Sequence, residues 1–170
     1  THRGLEGVSF WRNLGTDADG ETSFERQILP GVDAMAYAMA WADLDGDQSL
    51  DLVTGSYYTD LSQHTSDPAI LDDKTGLVVY TQRDGVFQPR RLGSEAETLS
   101  IGLLDLDGDG HLDIWAANDF LVHDQIWLRQ ADDWQSSVPF LQTSYSTMSI
   151  DWGDLANNGE IGLFTTDMNP

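Results

Sequence analysis

The stretch that decides the fold is DLDGDGHLD, residues 105–113, which repeats an earlier stretch, DLDGDQSLD, residues 43–51. Each copy places aspartates at positions one, three, five and nine of a glycine-bearing loop. Four carboxylates this close together repel one another unless a cation neutralises them, and Ca²⁺ prefers cages made only of oxygen atoms. We therefore interpret both stretches as calcium-binding loops and call them the first loop (43–51) and the second loop (105–113).

The spacing within each loop predicts a set of ligands. Alternate side chains turn toward one centre, the carbonyl of the seventh residue adds a main-chain oxygen, and the ninth aspartate completes the shell. With water this gives about six to seven oxygens, as calcium prefers. The candidate ligands are Asp43, Asp45, Asp47, the carbonyl of Ser49, and Asp51 in the first loop, and Asp105, Asp107, Asp109, the carbonyl of His111, and Asp113 in the second.

The two loops differ at their sixth position. Gly108 and Gly110 of the second loop can adopt positive φ, which so sharp a turn needs. The first loop retains Gly46 but has Gln48 where the second has Gly110. If that position requires positive φ, Gln48 costs free energy, so we predict that the first site binds calcium more weakly.

Two other interpretations of the loops were weighed. An EF-hand also begins with alternating aspartates, but it needs a bidentate Glu at position twelve and flanking helices. Position twelve here is Thr54 or Ala116, and the flanking segments are short, apolar and partly β-branched or aromatic, which favours strands. The loops are therefore predicted to be turns of β-hairpins. The plainer alternative is an Asp-Gly turn that binds no metal.

Alignment on the loops reveals a repeat. The segments AYAMAWAD (36–43), TLSIGLLD (98–105) and TMSIDWGD (147–154) correspond, and a second set, VSFWRN, LVVYTQ and QIWLRQ, begins aromatic-rich hairpins. Each unit supplies about four short strands, as in a propeller blade. The sequence therefore predicts an all-β chain, a single propeller segment over 1–170 with three four-stranded blade-like units at about 8–57, 76–119 and 125–168.

A third copy of the loop, residues 154–162, has lost part of the pattern. It keeps Asp154, Asn158 and Gly159, but Ala156 and Gly162 replace the third and ninth aspartates. With two ligands missing, we expect a turn without calcium at this third loop.

Composition restricts the classes of partner and compartment. The formal charge of −21 disfavours nucleic acid and anionic membrane surfaces as direct partners. Cysteine is absent, which excludes disulfides and thiolate metal sites. There is no run of about 18 apolar residues that would form a transmembrane segment. Aspartate-only sites remain filled where calcium is millimolar, so we expect an extracellular, cell-surface or periplasmic location, with any signal or anchor outside these residues.

The stretches DLDGDQSLDLVTG and DLDGDGHLDIWAA, together with the apolar strands that precede them, resemble FG-GAP/VCBS repeats, which build integrin α-subunit propellers and many bacterial surface proteins. The stretch DWGDLANNGEIGLFTTDM and strands such as FWRN also resemble repeats of cartilage acidic protein-like (ASPIC/UnbV-associated) bacterial proteins. The resemblance covers most of the chain. It implies a calcium-bearing propeller that serves adhesion, recognition or assembly, with the eight loop aspartates as ligands.

Three units are too few to close a ring, because propellers have about four to eight blades. We therefore expect the chain to be part of a larger propeller or assembly, or to complete its ring with another chain.

Three functions were weighed. The first is a noncatalytic module that binds a protein partner or scaffolds an assembly, with the long insertion at 57–75 supplying contact residues (Tyr57, Tyr58, His64) or merely a solvated connection. The second is a lectin-like module that binds glycan, for which Trp134 is the predicted surface aromatic and Trp41, Trp115, Trp127 and Trp152 are predicted core. The third is part of a polysaccharide hydrolase or lyase, but no catalytic motif occurs in the sequence.

Overall fold

A computed structural model describes residues 8–57, 75–94, 96–120, 122–131, 133–144 and 146–168. All regular secondary structure within these ranges consists of β-strands, so the prediction of an all-β chain is confirmed for these residues. The same residues include no helix with the length and apolar character needed to cross a bilayer. The predicted contacts of Tyr58 and His64 lie outside the described residues.

Within the described ranges, twelve strands form four antiparallel sheets. The strands are β1 (Phe10–Thr16), β2 (Thr22–Gln27), β3 (Ala38–Ala42), β4 (Asp51–Gly55), β5 (Leu77–Arg83), β6 (Val86–Gly93), β7 (Thr98–Leu104), β8 (Asp113–Asn118), β9 (Gln125–Gln130), β10 (Asp133–Ser137), β11 (Thr147–Gly153) and β12 (Gly162–Asp167). Two sheets have four strands each, in the orders β3-β4-β5-β6 and β7-β8-β9-β10, and we call them the first and second sheets. The pairs β1-β2 and β11-β12 form two-stranded sheets.

The sheets group the hairpins differently from the repeat units read along the sequence. Strand β4 pairs with β5 across the insertion, with Leu52 opposite Tyr80 and Val53 opposite Val79. Each four-stranded sheet therefore begins with the hairpin that carries an acidic loop and ends with the aromatic-rich hairpin that follows it. The sheet boundaries therefore fall one hairpin later than the boundaries of the predicted units at 8–57, 76–119 and 125–168. Among the described residues two sheets have four strands, because β4 pairs with β5 and β8 pairs with β9 across the predicted boundaries.

The core lies on both faces of the two four-stranded sheets. Strands β4 and β8 are buried along their whole length. One apolar cluster joins the two sheets through Val53, Leu77, Ile114 and Trp134. The other two clusters pack the outer face of the first sheet against residues near Leu29, and the outer face of the second sheet against β11. Alternating side chains on β4 and β8 thus enter different clusters, as period-two strands require.

The first strands of successive sheets lie side by side, β3 against β7 and β7 against β11. The first two sheets approach closely at Gly55, where an added Cβ would stand 2.5 Å from the Thr98 side chain. Their backbones also join directly, since Thr98 donates its amide to the Ser56 carbonyl at 2.9 Å. This contact fixes the position of the first acidic hairpin relative to the second.

Candidate metal centres

Both acidic loops are turns of antiparallel hairpins, as predicted. The first connects β3 to β4 and the second connects β7 to β8. Their backbones match: φ is +79° at Gly46 and +71° at Gln48, against +81° at Gly108 and +89° at Gly110. The sixth position of the loop therefore does require positive φ, and Gln48 adopts a conformation that disfavours residues with a Cβ.

The first aspartate of each loop organises the turn through backbone hydrogen bonds. Asp105 Oδ1 accepts the amides of Gly108 at 2.7 Å and Asp109 at 3.2 Å, and its Oδ2 accepts the amide of Gly110 at 2.9 Å. Asp43 accepts the three corresponding amides at 2.7, 3.1 and 2.9 Å. These hydrogen bonds give the backbone amides of each turn an acceptor and hold the first aspartate in a fixed position.

The ninth aspartate ties each loop to the third strand of its sheet. Asp51 accepts the amides of Leu44 at 3.0 Å and Gln82 at 2.8 Å, and it is 0% exposed. Asp113, also 0% exposed, accepts those of Leu106 and Arg129, both at 2.8 Å. Burial raises the pKa of both carboxyl groups, and their backbone hydrogen bonds oppose that rise.

Three carboxylates converge in each loop, with one oxygen from every residue within 4.8 Å of the others. The converging groups are Asp43, Asp45 and Asp51 in the first loop and Asp105, Asp107 and Asp109 in the second. Asp47 and Asp113, also predicted as ligands, are not members of these two trios. Ser49 and His111 donate their amides to the fifth-position aspartates Asp47 and Asp109, at 2.7 and 2.8 Å. The role of their carbonyls as ligands stays a prediction.

A basic residue contacts the first loop. The guanidinium of Arg83, at the end of β5, donates Nη1 to Asp47 Oδ2 at 2.8 Å and Nη2 to Asp45 Oδ2. The hydrogen bond to Asp45 raises the pKa of Arg83 above its already high value. Sequence reasoning missed this contact, because Arg83 lies 36 residues from Asp47 and only strand pairing brings it there.

The residues present fit a hard divalent cation. Each trio supplies only carboxylate oxygens, which suits calcium, magnesium or manganese better than metals that favour nitrogen or sulfur. Each carboxylate oxygen has two acceptor sites, so the amide hydrogen bonds of Asp51 leave it able to bind a metal as well. The two clusters could hold a metal ion, and its identity as calcium is taken up below.

The third loop has a similar backbone with fewer acids. Asp154 accepts the amides of Asn158 at 3.0 Å and Gly159 at 2.7 Å, as Asp105 does in the second loop. The hydrogen bonds from these two amides lower the pKa of Asp154, and the one from Gly159 contributes most. Positive φ recurs at Asn157 and Gly159. Since the turn forms around a single aspartate, backbone geometry alone does not distinguish a metal loop from a metal-free one.

A buried polar contact between the first and second sheets was not predicted. Tyr57 donates its hydroxyl to Asp119 Oδ2 at 3.0 Å, and Asp119 is 3% exposed with its Oδ1 lacking a hydrogen bond. The pKa of Tyr57 is raised to about 12, mainly by desolvation and to a smaller extent by the hydrogen bond to Asp119. The sequence does contain a signal for this contact, because Tyr57 and Asp119 occupy equivalent positions in the repeat. Each lies six residues after the ninth aspartate of its loop.

The tryptophan assignments need correction. Trp134, predicted as the surface aromatic, is 7% exposed because β10 turns it into the cluster between the sheets, with the Arg129 guanidinium 5.0 Å from its ring centre. Trp41 and Trp152, predicted as core, are each 38% exposed. Trp115 is buried as predicted, and Trp127 is partly buried.

Trp41 lines an open groove of about 740 Å³ between β1 and β3. Trp11, Phe10, Met39 and Phe87 also line this groove, and Trp41 meets Phe87 edge to face with ring centres 5.9 Å apart. We call it the aromatic groove.

Comparison with known proteins adds no assignment. No protein-family model matches the chain, and no curated protein matches its sequence.

Proposed function

We propose that this chain is a noncatalytic, calcium-stabilised β-propeller module of an extracellular, cell-surface or periplasmic protein, and that it binds a protein partner or scaffolds an assembly. The observation that carries the proposal is the convergence of three carboxylates in each of two matching hairpin turns. Calcium bound there would neutralise the acids and fix the hairpins in one arrangement. The FG-GAP/VCBS resemblance supports the same choice of metal and fold.

The sheet arrangement supports a propeller. Two antiparallel four-stranded sheets are each built as a simple meander, and their first strands lie side by side. Blades packed around an axis place their first strands together in this way. By position in the repeat, the hairpin β11-β12 corresponds to the first two strands of a four-stranded sheet, and the hairpin β1-β2 corresponds to the last two strands of such a sheet.

Exposed apolar side chains on the outer hairpins support a binding role. Trp11 and Phe24 of the β1-β2 hairpin are 56% and 55% exposed, and Phe164 of β12 is 43% exposed. Apolar surface collected in this way marks regions that contact another protein or another part of an assembly. The proposed partner therefore meets the outer hairpins, and the acidic loops act as structural supports.

Calorimetric melting tests the calcium proposal. We expect millimolar calcium to raise the melting temperature by about 5–10 °C per filled loop relative to chelator, since binding at about 100 times the dissociation constant contributes about 2.7 kcal/mol. Magnesium should raise it less, because it demands a tighter octahedral site. Asp109→Asn should lower the melting temperature in calcium and leave it nearly unchanged in chelator.

The matched control is Asp19→Asn, which removes one negative charge from the exposed turn between β1 and β2. It should behave like the parent chain in both buffers. Equal melting temperatures for Asp109→Asn and the parent in calcium would remove the metal from this account.

The aromatic groove favours a second candidate function, recognition of glycans. Exposed indole rings such as those of Trp11 and Trp41 bind sugar rings by stacking against their apolar faces. A glycan array with calcium present separates the two candidates: specific binding that Trp41→Ala abolishes would favour the lectin. Turnover of a polysaccharide under the same conditions would instead contradict the noncatalytic proposal.

A further inference from the structure

We propose that Arg83 is a tethered cation that competes with calcium for the first loop, so that the first loop fills only at higher calcium than the second. This inference rests on the calcium-binding function proposed above and concerns the selectivity of one of its two sites. It is independent of the backbone strain at Gln48.

The competition follows from a shared ligand residue, Asp45. Arg83 donates to Asp45 and Asp47, and Asp45 is one of the three residues whose oxygens converge in the first loop. A divalent ion bound by these carboxylates would lie within a few ångströms of the guanidinium, where like charges repel. Calcium therefore has to displace Arg83 before it can use both carboxylates.

The backbone that carries Arg83 is held close to the first loop. Asp51 accepts the Gln82 amide at 2.8 Å, which holds the end of β5 against the first loop. Arg83 follows immediately and also donates Nη1 to the Gln82 carbonyl at 2.8 Å. A cation attached this closely has a high effective concentration at the loop, so it competes far better than a free cation of the same kind.

Among the described residues, no basic side chain is observed in an ion pair with the second loop. Its ninth aspartate, Asp113, accepts the amide of Arg129, so Arg129 occupies the place of Gln82 and the neutral Gln130 the place of Arg83. The Arg129 guanidinium itself donates to the Ala131 carbonyl at 2.8 Å and lies over the Trp134 ring. In the part of the chain that the structure describes, the second trio has no ion pair to a basic side chain among those observed.

The natural difference between the loops supplies the test. Arg83→Gln gives the first loop the residue of the second, and Gln130→Arg does the reverse. The amides of Gly46 and Gly108, each donated to the first aspartate of its loop at 2.7 Å, report the two loops separately by nuclear magnetic resonance. Calcium is titrated into the full 170-residue parent and variant chains while both amide signals are followed.

We expect Arg83→Gln to tighten calcium binding at Gly46 by about three- to tenfold, the range for releasing two exposed ion pairs, without changing binding at Gly108. Gln130→Arg should weaken binding at Gly108 by a similar factor. Arg90→Gln is the control for net charge, because Arg90 pairs with Asp133, which belongs to neither loop, and it should leave both affinities unchanged.

The outcomes separate this inference from the function it rests on. If neither amide responds to calcium, the calcium proposal fails. If both respond but Arg83→Gln leaves the Gly46 affinity unchanged, or changes the affinities of both loops equally, calcium binding stands and the tethered-cation inference is overturned.

Discussion

The first and second loops share four aspartates, one backbone conformation and one pattern of internal hydrogen bonds, yet their charges are balanced differently. In the first loop a guanidinium from β5 already contacts Asp45 and Asp47. In the second, Asp105, Asp107 and Asp109 converge at the surface. The acidic motif thus fixes the geometry of its own turn, whereas the neighbouring strand decides which charged side chain lies against that turn.

The largest expected effect concerns what the loops share. Asp51→Ala and Asp113→Ala each leave one buried and one partly buried backbone amide without an acceptor, so each variant should lose about 2–4 kcal/mol of unfolding free energy in chelator. Urea denaturation measures both. Because the two sets of hydrogen bonds are alike, the losses should agree within about 1 kcal/mol.

A much smaller loss for one variant would show that the two loops are anchored differently after all. The exposed control Asp19→Asn should change the unfolding free energy by less than about 0.5 kcal/mol.

An intermediate effect concerns the sixth position, where the loops differ in backbone strain. Gln48→Gly relieves a side chain at φ +71° and should stabilise the chain by about 0.5–1 kcal/mol, while Gly110→Gln should destabilise it by a similar amount. An added Cβ at Gly110 meets nothing within 4 Å, so the cost there is one of backbone conformation alone.

Urea denaturation in chelator again gives both free energies. Changes of the same sign in the two variants would contradict the match between the loops.

The last expected effect is absent at neutral pH, appears only at alkaline pH and concerns the residues that follow each loop. The pKa of Tyr57 is raised to about 12 in the folded chain, against 10.0 for an ordinary tyrosine. Between these values the unfolded chain loses the phenolic proton while the folded chain keeps it, so stability falls as pH rises. Tyr57→Phe should remove this part of the decline.

Ultraviolet titration of tyrosinate, combined with urea denaturation at several alkaline pH values, measures the effect. The control Tyr37→Phe removes an exposed hydroxyl and keeps a ring beside Tyr57, whose centre lies 5.0 Å away. An alkaline decline that persists unchanged in Tyr57→Phe would assign it to another group.

Local patterns predicted much of this fold. Alternating apolar residues and Asp-Gly turns predicted the hairpins, and the turn 84–85 has the positive φ values, +51° and +79°, that suit its Asp-Gly sequence. The grouping of hairpins into sheets was not predicted, because β4 and β5 pair across an insertion whose length says nothing about which strands meet. Trp134 and Trp41 were misassigned for a related reason, since period two shows that a strand has two faces but not which one is covered.

The sequence by itself determined that the described part of the chain is all-β, that two turns carry four carboxylates each, and that the sixth loop position is occupied by Gln48 in one turn and Gly110 in the other. These features depend on residues close together in the chain. Only the tertiary structure decided that Asp51 and Asp113 are buried anchors, that Arg83 reaches the first loop and that Tyr57 meets Asp119. Those contacts join residues far apart in sequence, and their energies depend on strand register and burial that arise only when the sheets pack.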